Sequence, residues 1–248
     1  MALTFVDSTP ANSRADGDTV GITVTHGFTL QDGDVLYAFL TRSDDLGSPW
    51  VLSGWTQVAN SAQTTGNDRL STCLRKVITS AAGEPSSYTF LTSAGAGTNP
   101  QAMVLTQVRG ADTTTPEDAT ATVANGSNDF TPTPAAITVA TTGALVFVAH
   151  FASMNDGVSG KTGGAPSGYT LADTSENVFA GQLGAVTEVA YKASVAAGTE
   201  TPGAFTGTPD DATSEYSTFT VAVRPVVAVV LRPIPTVVNF SVPRSFSY

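Results

Sequence analysis

Two stretches of the chain have the same hydrophobic pattern, a turn glycine followed by an almost unbroken run of aliphatic, aromatic and β-branched residues. The first stretch is residues 33–40 and the second is residues 143–150. Apolar runs of this length that are bounded by turn residues are typical of strands with both faces buried. The pattern therefore predicts two such strands, one in each part of the chain.

The remaining apolar positions also follow strand periods. Residues 21–25 alternate between apolar and polar side chains, which predicts a half-buried strand, and further strands are predicted at 69–78, 87–91 and 102–110. Turn signals recur roughly every 8 to 15 residues, and no apolar pattern of helical period persists. We therefore predict an all-β protein, an antiparallel β-sandwich of jelly-roll-like type.

The order of these features occurs twice along the chain. Matching residues are separated by 110, 114 and 115 positions in the pairs Gly33/Gly143, Gly54/Gly168 and Arg109/Arg224. A nearly constant offset of this kind indicates an internal duplication. We predict a first sandwich half at residues 1–111 and a second half at 135–225. The pattern leaves open whether the halves form one extended sandwich or two that abut.

Two further segments lie outside this repeat. Residues 112–134 are rich in Thr, Pro, Asn and Gly, which predicts a surface connection between the halves. Residues 226–248 contain a short apolar run and several prolines, which are incompatible with a helix. We predict an extended C-terminal arm over this range.

The arm differs from the body in charge. Removing Arg224, Arg232 and Arg244 from the totals of 11 basic and 21 acidic residues leaves residues 1–223 with 8 basic residues and a net charge of −13, against +3 for residues 224–248. One interpretation is a last strand and tail of its own domain. The other is an arm that adds to a neighbouring subunit as a strand. The predicted contact residues are Val226, Val229, Leu231, Arg232, Ile234, Phe240, Arg244, Phe246 and Tyr248.

Composition limits the environment and the partners. The net charge of −10 disfavours binding to nucleic acid or to an anionic membrane. The single Cys73 cannot form an internal disulfide. The first residues do not read as a signal peptide, and no apolar run approaches the ~18 residues of a membrane span. We therefore expect a protein that is made in a cytoplasm and reaches its destination by assembly.

Candidate chemistry is sparse. His26 and His150 are isolated from each other and from Cys73, and no hydrolase motif occurs, so we predict no catalytic residue, no metal site and no cofactor. Trp50 and Trp55 could form a sugar-stacking platform or could pack in the fold. Six aspartates could supply a calcium site, although their spacing fits ordinary turns, namely Asp16, Asp18, Asp32, Asp34, Asp44 and Asp45.

Several of these segments together resemble a known group of proteins. The strings are GDVL at 33–36, SGW at 53–55, RKV at 75–77, GEP at 83–85, YTF at 88–90 and RG at 109–110. They resemble duplicated β-sandwich proteins encoded by tailed bacteriophages and prophages, over most of residues 20–225. The proline-rich arm has no counterpart in that pattern.

The resemblance implies a component of a virus particle rather than an enzyme. The expected function is that of a head decoration (cement) protein, which binds the major capsid protein or other virion proteins in the assembled virion. We expect a homo-oligomer, for which a trimer is a guess. The alternative is a tail or fibre module that binds host-surface glycans through Trp50 or Trp55. A glycan hydrolase or lyase would need a carboxylate pair at a cleft, for which the sequence gives no sign.

Overall fold

The computed structural model describes residues 2–16, 19–43, 48–64, 68–93, 98–127, 131–154, 163–177, 184–206 and 215–227. Within these ranges the chain forms fourteen strands and one short 3₁₀ turn at Ala81–Gly83. Neighbouring strands of every sheet are antiparallel. The predicted all-β, antiparallel sandwich is confirmed. No helix in the described ranges has the length and apolar character needed to cross a membrane.

The first half contains a five-stranded sheet and a two-stranded sheet. Its strands are β1 (Thr4–Asp16), β2 (Thr19–Thr25), β3 (Val35–Ser43), β4 (Thr56–Gln63), β5 (Arg69–Val77), β6 (Ser87–Ser93) and β7 (Thr98–Arg109). The order β1-β7-β3-β5-β4 makes sheet I, and β2 pairs with β6. Every residue of β3 is buried, as the hydrophobic run predicts.

The second half has the same plan. Its strands are β8 (Thr122–Ser127), β9 (Ile137–Val139), β10 (Ala144–Met154), β11 (Thr170–Asn177), β12 (Gly184–Val195), β13 (Gly198–Glu200) and β14 (Glu215–Val223). The order β8-β14-β10-β12-β11 makes sheet II, and β9 pairs with β13. This is the order of sheet I, strand for strand. The shared order is what the predicted duplication requires, and common descent of the halves stays a prediction.

Local details repeat as well. The pairing of β4 with β5 shifts by one residue between Gln57 and Ala59, and the pairing of β11 with β12 shifts at the matching place, 114 positions later. Gly33 and Gly143 precede the two central strands, and both have a φ of 89°. Only glycine adopts this left-handed conformation without steric cost, so the two turns need it.

The two five-stranded sheets pack face to face around one shared core. Its large side chains come from both halves and include Tyr37, Phe39, Phe147, Phe151 and Phe219. Burying each of them contributes about 1.5–3 kcal/mol. The outer face of sheet I is covered by β2 and β6, and the outer face of sheet II by β9, β13 and Phe205. The molecule therefore has four layers, and β3 and β10 are buried because each lies between two of them.

The stacking of the sheets is close to twofold symmetric. β1 lies over β11, β7 over β12, β5 over β14 and β4 over β8. Because β8 corresponds to β1 and β11 corresponds to β4, each half offers the same surface to the other, as the subunits of an isologous dimer do. One side of the sandwich is thus formed by β1 with β11, and the equivalent side by β4 with β8.

Two predicted segments need comment. The range 112–134, predicted as a surface connection, contains β8, which pairs with β14 and belongs to sheet II. The arm, predicted at 226–248, lies outside the described residues after Val227. At its start, the Val226 amide donates to the Gly110 carbonyl over 3.0 Å.

Candidate interaction surface

A buried carboxylate holds the turn before the central strand of the first half. Asp34 accepts hydrogen bonds from the Gln31 amide (2.8 Å), from Gln107 Nε2 (2.6 Å) and from Arg109 Nε (2.8 Å). Burial alone would raise the pKa of Asp34, but these hydrogen bonds outweigh it, so that the pKa lies below its ordinary value. The Gly-Asp segment at 33–34 and the Arg-Gly segment at 109–110 therefore each supply one partner of a single ion pair, Asp34 with Arg109.

In the second half a carboxylate also holds the turn before the central strand, but it comes from a different position. Arg224, the counterpart of Arg109, donates to Asp118 Oδ1 over 3.1 Å. Asp118 also accepts the amides of Ala140 (2.6 Å) and Thr141 (2.8 Å) in the turn before β10. Burial acts to raise the pKa of Asp118, and its hydrogen bonds lower it overall. The position that matches Asp34 is Ala144, so the carboxylate comes instead from the segment that leads to β8.

A second repeated cluster joins a lysine, a glutamate and a tyrosine. Lys76 Nζ lies 2.6 Å from Glu84, to which the Tyr88 hydroxyl donates over 2.8 Å. The Trp55 ring makes T-shaped contacts with the rings of Tyr88 and Phe90. The segments SGW, RKV, GEP and YTF thus meet in one place. In the second half the members are Lys192, Glu200 and Tyr169.

One side of the sandwich is tied by hydrogen bonds between its two edge strands, and we call β1 with β11 the tied edge. Side chains on each strand bond to backbone carbonyls on the other: Ser8 to Ala172 (3.0 Å), Asn12 to Glu176 (2.9 Å), Ser175 to Ala11 (2.6 Å) and Asn177 to Ser13. The Phe5 ring stacks on the Tyr191 ring, with 4.2 Å between the ring centroids, and makes a T-shaped contact with the Phe147 ring, with 6.4 Å between the centroids. Hydrogen bonds and an aromatic cluster close this side.

The equivalent side, β4 with β8, we call the open edge. Among the described residues one hydrogen bond joins its strands, from Ser61 Oγ to Asn125 Oδ1 (2.7 Å). A crevice of about 380 Å³ lies beside it, lined by Gln57, Val58, Glu117, Asp118, Ala119, Thr120, Ala121 and Arg224. Val58 and Ala121 pack against the shared core and make the crevice partly apolar.

The aromatic cluster of the tied edge corresponds to a charged cluster at the open edge. Register matches Tyr191 with Arg75, Phe147 with Tyr37, and Phe5 with Glu117. Glu117 lies 3.0 Å from Arg75 and accepts the Tyr37 hydroxyl over 3.2 Å. Burial, helped by the Glu117 charge, raises the pKa of Tyr37 well above its ordinary value.

The sequence-predicted site residues have mixed outcomes. Of the arm residues, Val226 is described and 46% exposed, whereas Val229, Leu231, Arg232, Ile234, Phe240, Arg244, Phe246 and Tyr248 lie outside the described residues. Trp50 is completely buried in the core beneath β2 and β6, so its ring offers no face to a sugar. That part of the glycan-platform hypothesis is wrong. Trp55 is half-buried in its aromatic cluster.

The aspartates suggested for calcium do not converge among the described side chains. Asp34 is held by Arg109, and Asp32 Oδ1 accepts the Ala81 amide over 2.7 Å. Asp18, Asp44 and Asp45 and the side chain of Asp16 lie outside the described residues. Cys73 is buried in the shared core, and burial raises the pKa of its thiol.

One buried pair was not predicted. His150 Nδ1 lies 2.8 Å from Glu188 Oε2 on the outer face of sheet II, and both side chains are 1% exposed. The residues face each other because β10 and β12 place them in register. The matching positions in sheet I are Leu40 and Thr72, so this pair distinguishes the second half. Its signal in the sequence, two ionisable residues in apolar strands, becomes specific only once the register is known.

Comparisons with known proteins add no relative. No family model, no curated protein and no solved structure matches this chain.

Proposed function

We propose that this protein is a non-enzymatic structural protein of a tailed-bacteriophage particle, most specifically a decoration protein that binds the major capsid protein and strengthens the head. It acts in the virion as a homo-oligomer, for which a trimer is our working assumption. Its body provides the folded platform, and its basic C-terminal arm contacts neighbouring subunits.

The observation that carries this proposal is that the residues of the phage-protein resemblance contact one another. Asp34 and Arg109, from its first and last segments, form one ion pair, and Glu84, Tyr88 and Trp55 belong to one cluster. A pattern whose members form joint clusters is a signature of one fold rather than a set of unrelated turns. The step from that fold to a virion function rests on the resemblance.

The proposal is tested with phage heads that lack this protein. Purified full-length protein is added to such heads, and binding is measured by co-sedimentation and by imaging at subnanometre resolution. We expect density in regular copies over the head lattice. Failure to bind would refute the decoration function, and density confined to the tail tip or fibres would favour host recognition instead. A variant that ends at residue 225 measures the contribution of the arm.

A further inference from the structure

The open edge has the properties of a docking site for an extended polypeptide. Its two strands, TQVANSAQ and TVANGS, contain neither proline nor a charged residue. Proteins commonly protect exposed edges with lysine, proline or inward-pointing charges. The tied edge does so in part, because β1 carries Asp7 and Pro10. Edge strands without such residues pair readily with an added strand.

The crevice beside the open edge gives that docking site a place for side chains. At the equivalent place of the tied edge, the ring of Phe5 fills the space against Tyr191. At the open edge Glu117 and Arg75 stand there instead, and the floor includes Val58 and Ala121. A small aliphatic side chain fits the apolar floor, and a cation fits beside Glu117, whose side chain is 25% exposed.

We propose that the open edge binds the C-terminal arm of a second copy of this chain, which adds to β4 or β8 as a strand. This inference rests on the proposed function, in which the arm contacts a neighbouring subunit. Residues 226–231 are six consecutive apolar residues, four of them valine, and Arg232 follows directly. Residues 224–248 carry +3 and residues 1–223 carry −13, so the two attract each other between copies.

The start of the arm favours a second copy over the arm's own body. The Val226 amide bonds to Gly110, directly after β7. In sheet I, β7 is separated from β4 by β3 and β5. β14, from which the arm leaves, already pairs with β10 on one side and β8 on the other. Arg224 lines the crevice beside its own open edge, but by Val226 the chain has reached the turn before β3, next to Gly33 and Gly110. This direction favours the open edge of another copy.

A cysteine cross-linking experiment on the full-length protein tests the assignment. One population carries Val229→Cys in the arm, and the other carries either Val123→Cys on the open edge or Val6→Cys on the tied edge. Val123 and Val6 are matched controls, since they are 38% and 39% exposed. Cys73 is buried and does not compete. After mixing and mild oxidation, mass spectrometry quantifies each intermolecular disulfide.

We expect roughly tenfold more cross-linked dimer with Val123→Cys than with Val6→Cys, because strand addition brings the arm close to only one of the two edges. Similar yields at both edges, or no cross-link at either, would overturn the proposal. So would a Val229→Cys/Val123→Cys double variant that forms the disulfide only within single chains.

A substitution without cysteine provides a second readout. Val123→Lys puts a charge on the open edge, and sedimentation of the full-length protein should show self-association weakened by roughly tenfold. Val6→Lys is the matched control and should leave it unchanged. Equal effects would overturn the assignment. Because neither assay uses phage heads, the docking site can be confirmed while head binding fails, or refuted while head binding succeeds.

Discussion

The two lateral edges of the sandwich occupy equivalent places and are built from different chemistry. At the tied edge, Phe5, Tyr191 and Phe147 form an aromatic cluster, and four side-chain-to-backbone hydrogen bonds join the strands. At the open edge, the matching positions hold Glu117, Arg75 and Tyr37 beside a crevice. The fold therefore does not require either chemistry. The tied edge is closed by contacts within the chain, whereas among the described residues one side-chain hydrogen bond joins the strands of the open edge.

The turns before β3 and β10 show the opposite case, in which the chemistry is retained and its source changes. Both turns need a carboxylate between an arginine and backbone amides, and the carboxylate is Asp34 in one half and Asp118 in the other. These clusters stabilise the body, so a carboxylate from another position can serve, but its loss cannot be tolerated. In our proposal the difference between the edges concerns partners, whereas the repeated clusters at the turns concern stability.

The largest expected effect is at the two carboxylate–arginine clusters of the turns, Asp34 with Arg109 and Asp118 with Arg224, which we call the turn clamps. Asp34→Ala removes the carboxylate that accepts from Arg109 and from the buried Gln107 amide, which among the described residues keep only the Thr29 carbonyl, and we expect a loss of about 3 kcal/mol in the free energy of unfolding. Asp118→Ala should cost a similar amount if the two clamps are equivalent. Urea unfolding monitored by tryptophan fluorescence measures both. A loss at only one site would show that the halves do not share this device.

The clamps also give an acid dependence. The pKa values of Asp34 and Asp118 are lowered in the folded protein, so their stabilisation is present above the unfolded value of about 3.9 and is lost as pH falls through the folded values. The wild type should therefore lose stability steeply below about pH 4. An Asp34→Asn/Asp118→Asn variant should show a flatter curve there. A curve as steep as that of the wild type would assign acid unfolding to other groups.

Much of the body was predictable because its signals are local. The two buried strands, the glycine turns and the order of the repeat follow from period, turn residues and offset. The missed strand, β8, reads as a turn because it contains Asn125-Gly126. Gly126 is there for a different reason, since the Tyr216 ring occupies the space that a Cβ would need. That cause lies in a cross-strand neighbour and cannot be read from the segment itself.

The sites were less predictable for the same reason. Trp50 was a candidate ligand-binding residue, yet the Val51 bridge to Leu91 holds its segment against β6 and the ring lies in the core. The match of Glu117 with Phe5 depends on strand register on both sides of the sandwich. Motif spacing alone gives no register between distant strands, so the difference between the two edges becomes visible only in the structure.

The next largest effect is at the tied edge. Phe5→Ala removes the stack on Tyr191 and the contact with Phe147, and since Phe5 is only half-buried we expect a loss of about 2 kcal/mol. Glu117→Ala at the open edge deprives the Tyr37 hydroxyl of its acceptor and should cost about 1 kcal/mol. Chemical denaturation compares them. A larger loss for Glu117→Ala would mean that the charged cluster, rather than the aromatic one, is the stronger closure.

Hydrogen bonds at the edges should differ by a smaller amount. Asn177→Ala removes the bonds from Nδ2 to the carbonyls of Ser13 and Gln101 and should cost about 1–2 kcal/mol. Ser61→Ala removes the one bond to Asn125 and should cost about 0.5–1 kcal/mol. Hydrogen exchange followed by mass spectrometry should show faster exchange in β1 only for Asn177→Ala. Unchanged exchange in β1 would indicate that the aromatic cluster alone holds the tied edge.

The smallest effect has the opposite sign. Burial, with a further contribution from Asp7, raises the pKa of Asp173 at the tied edge. A carboxylate with a raised folded pKa destabilises the fold once it is charged, so stability falls as pH rises from about 4 through the folded value. Asp173→Asn removes the charge and keeps one acceptor oxygen, for the Thr174 amide or the Ser8 hydroxyl. We expect a gain below about 0.5 kcal/mol at neutral pH, because solvent screens this partly exposed group, and no gain at pH 3.

A thermal shift measured at both pH values checks this, with Asp7→Asn as the matched variant. A loss of stability at neutral pH would mean that the hydrogen bonds of Asp173 need its charge, and the closure of the tied edge would then depend on ionisation, as the clamps at the turns do.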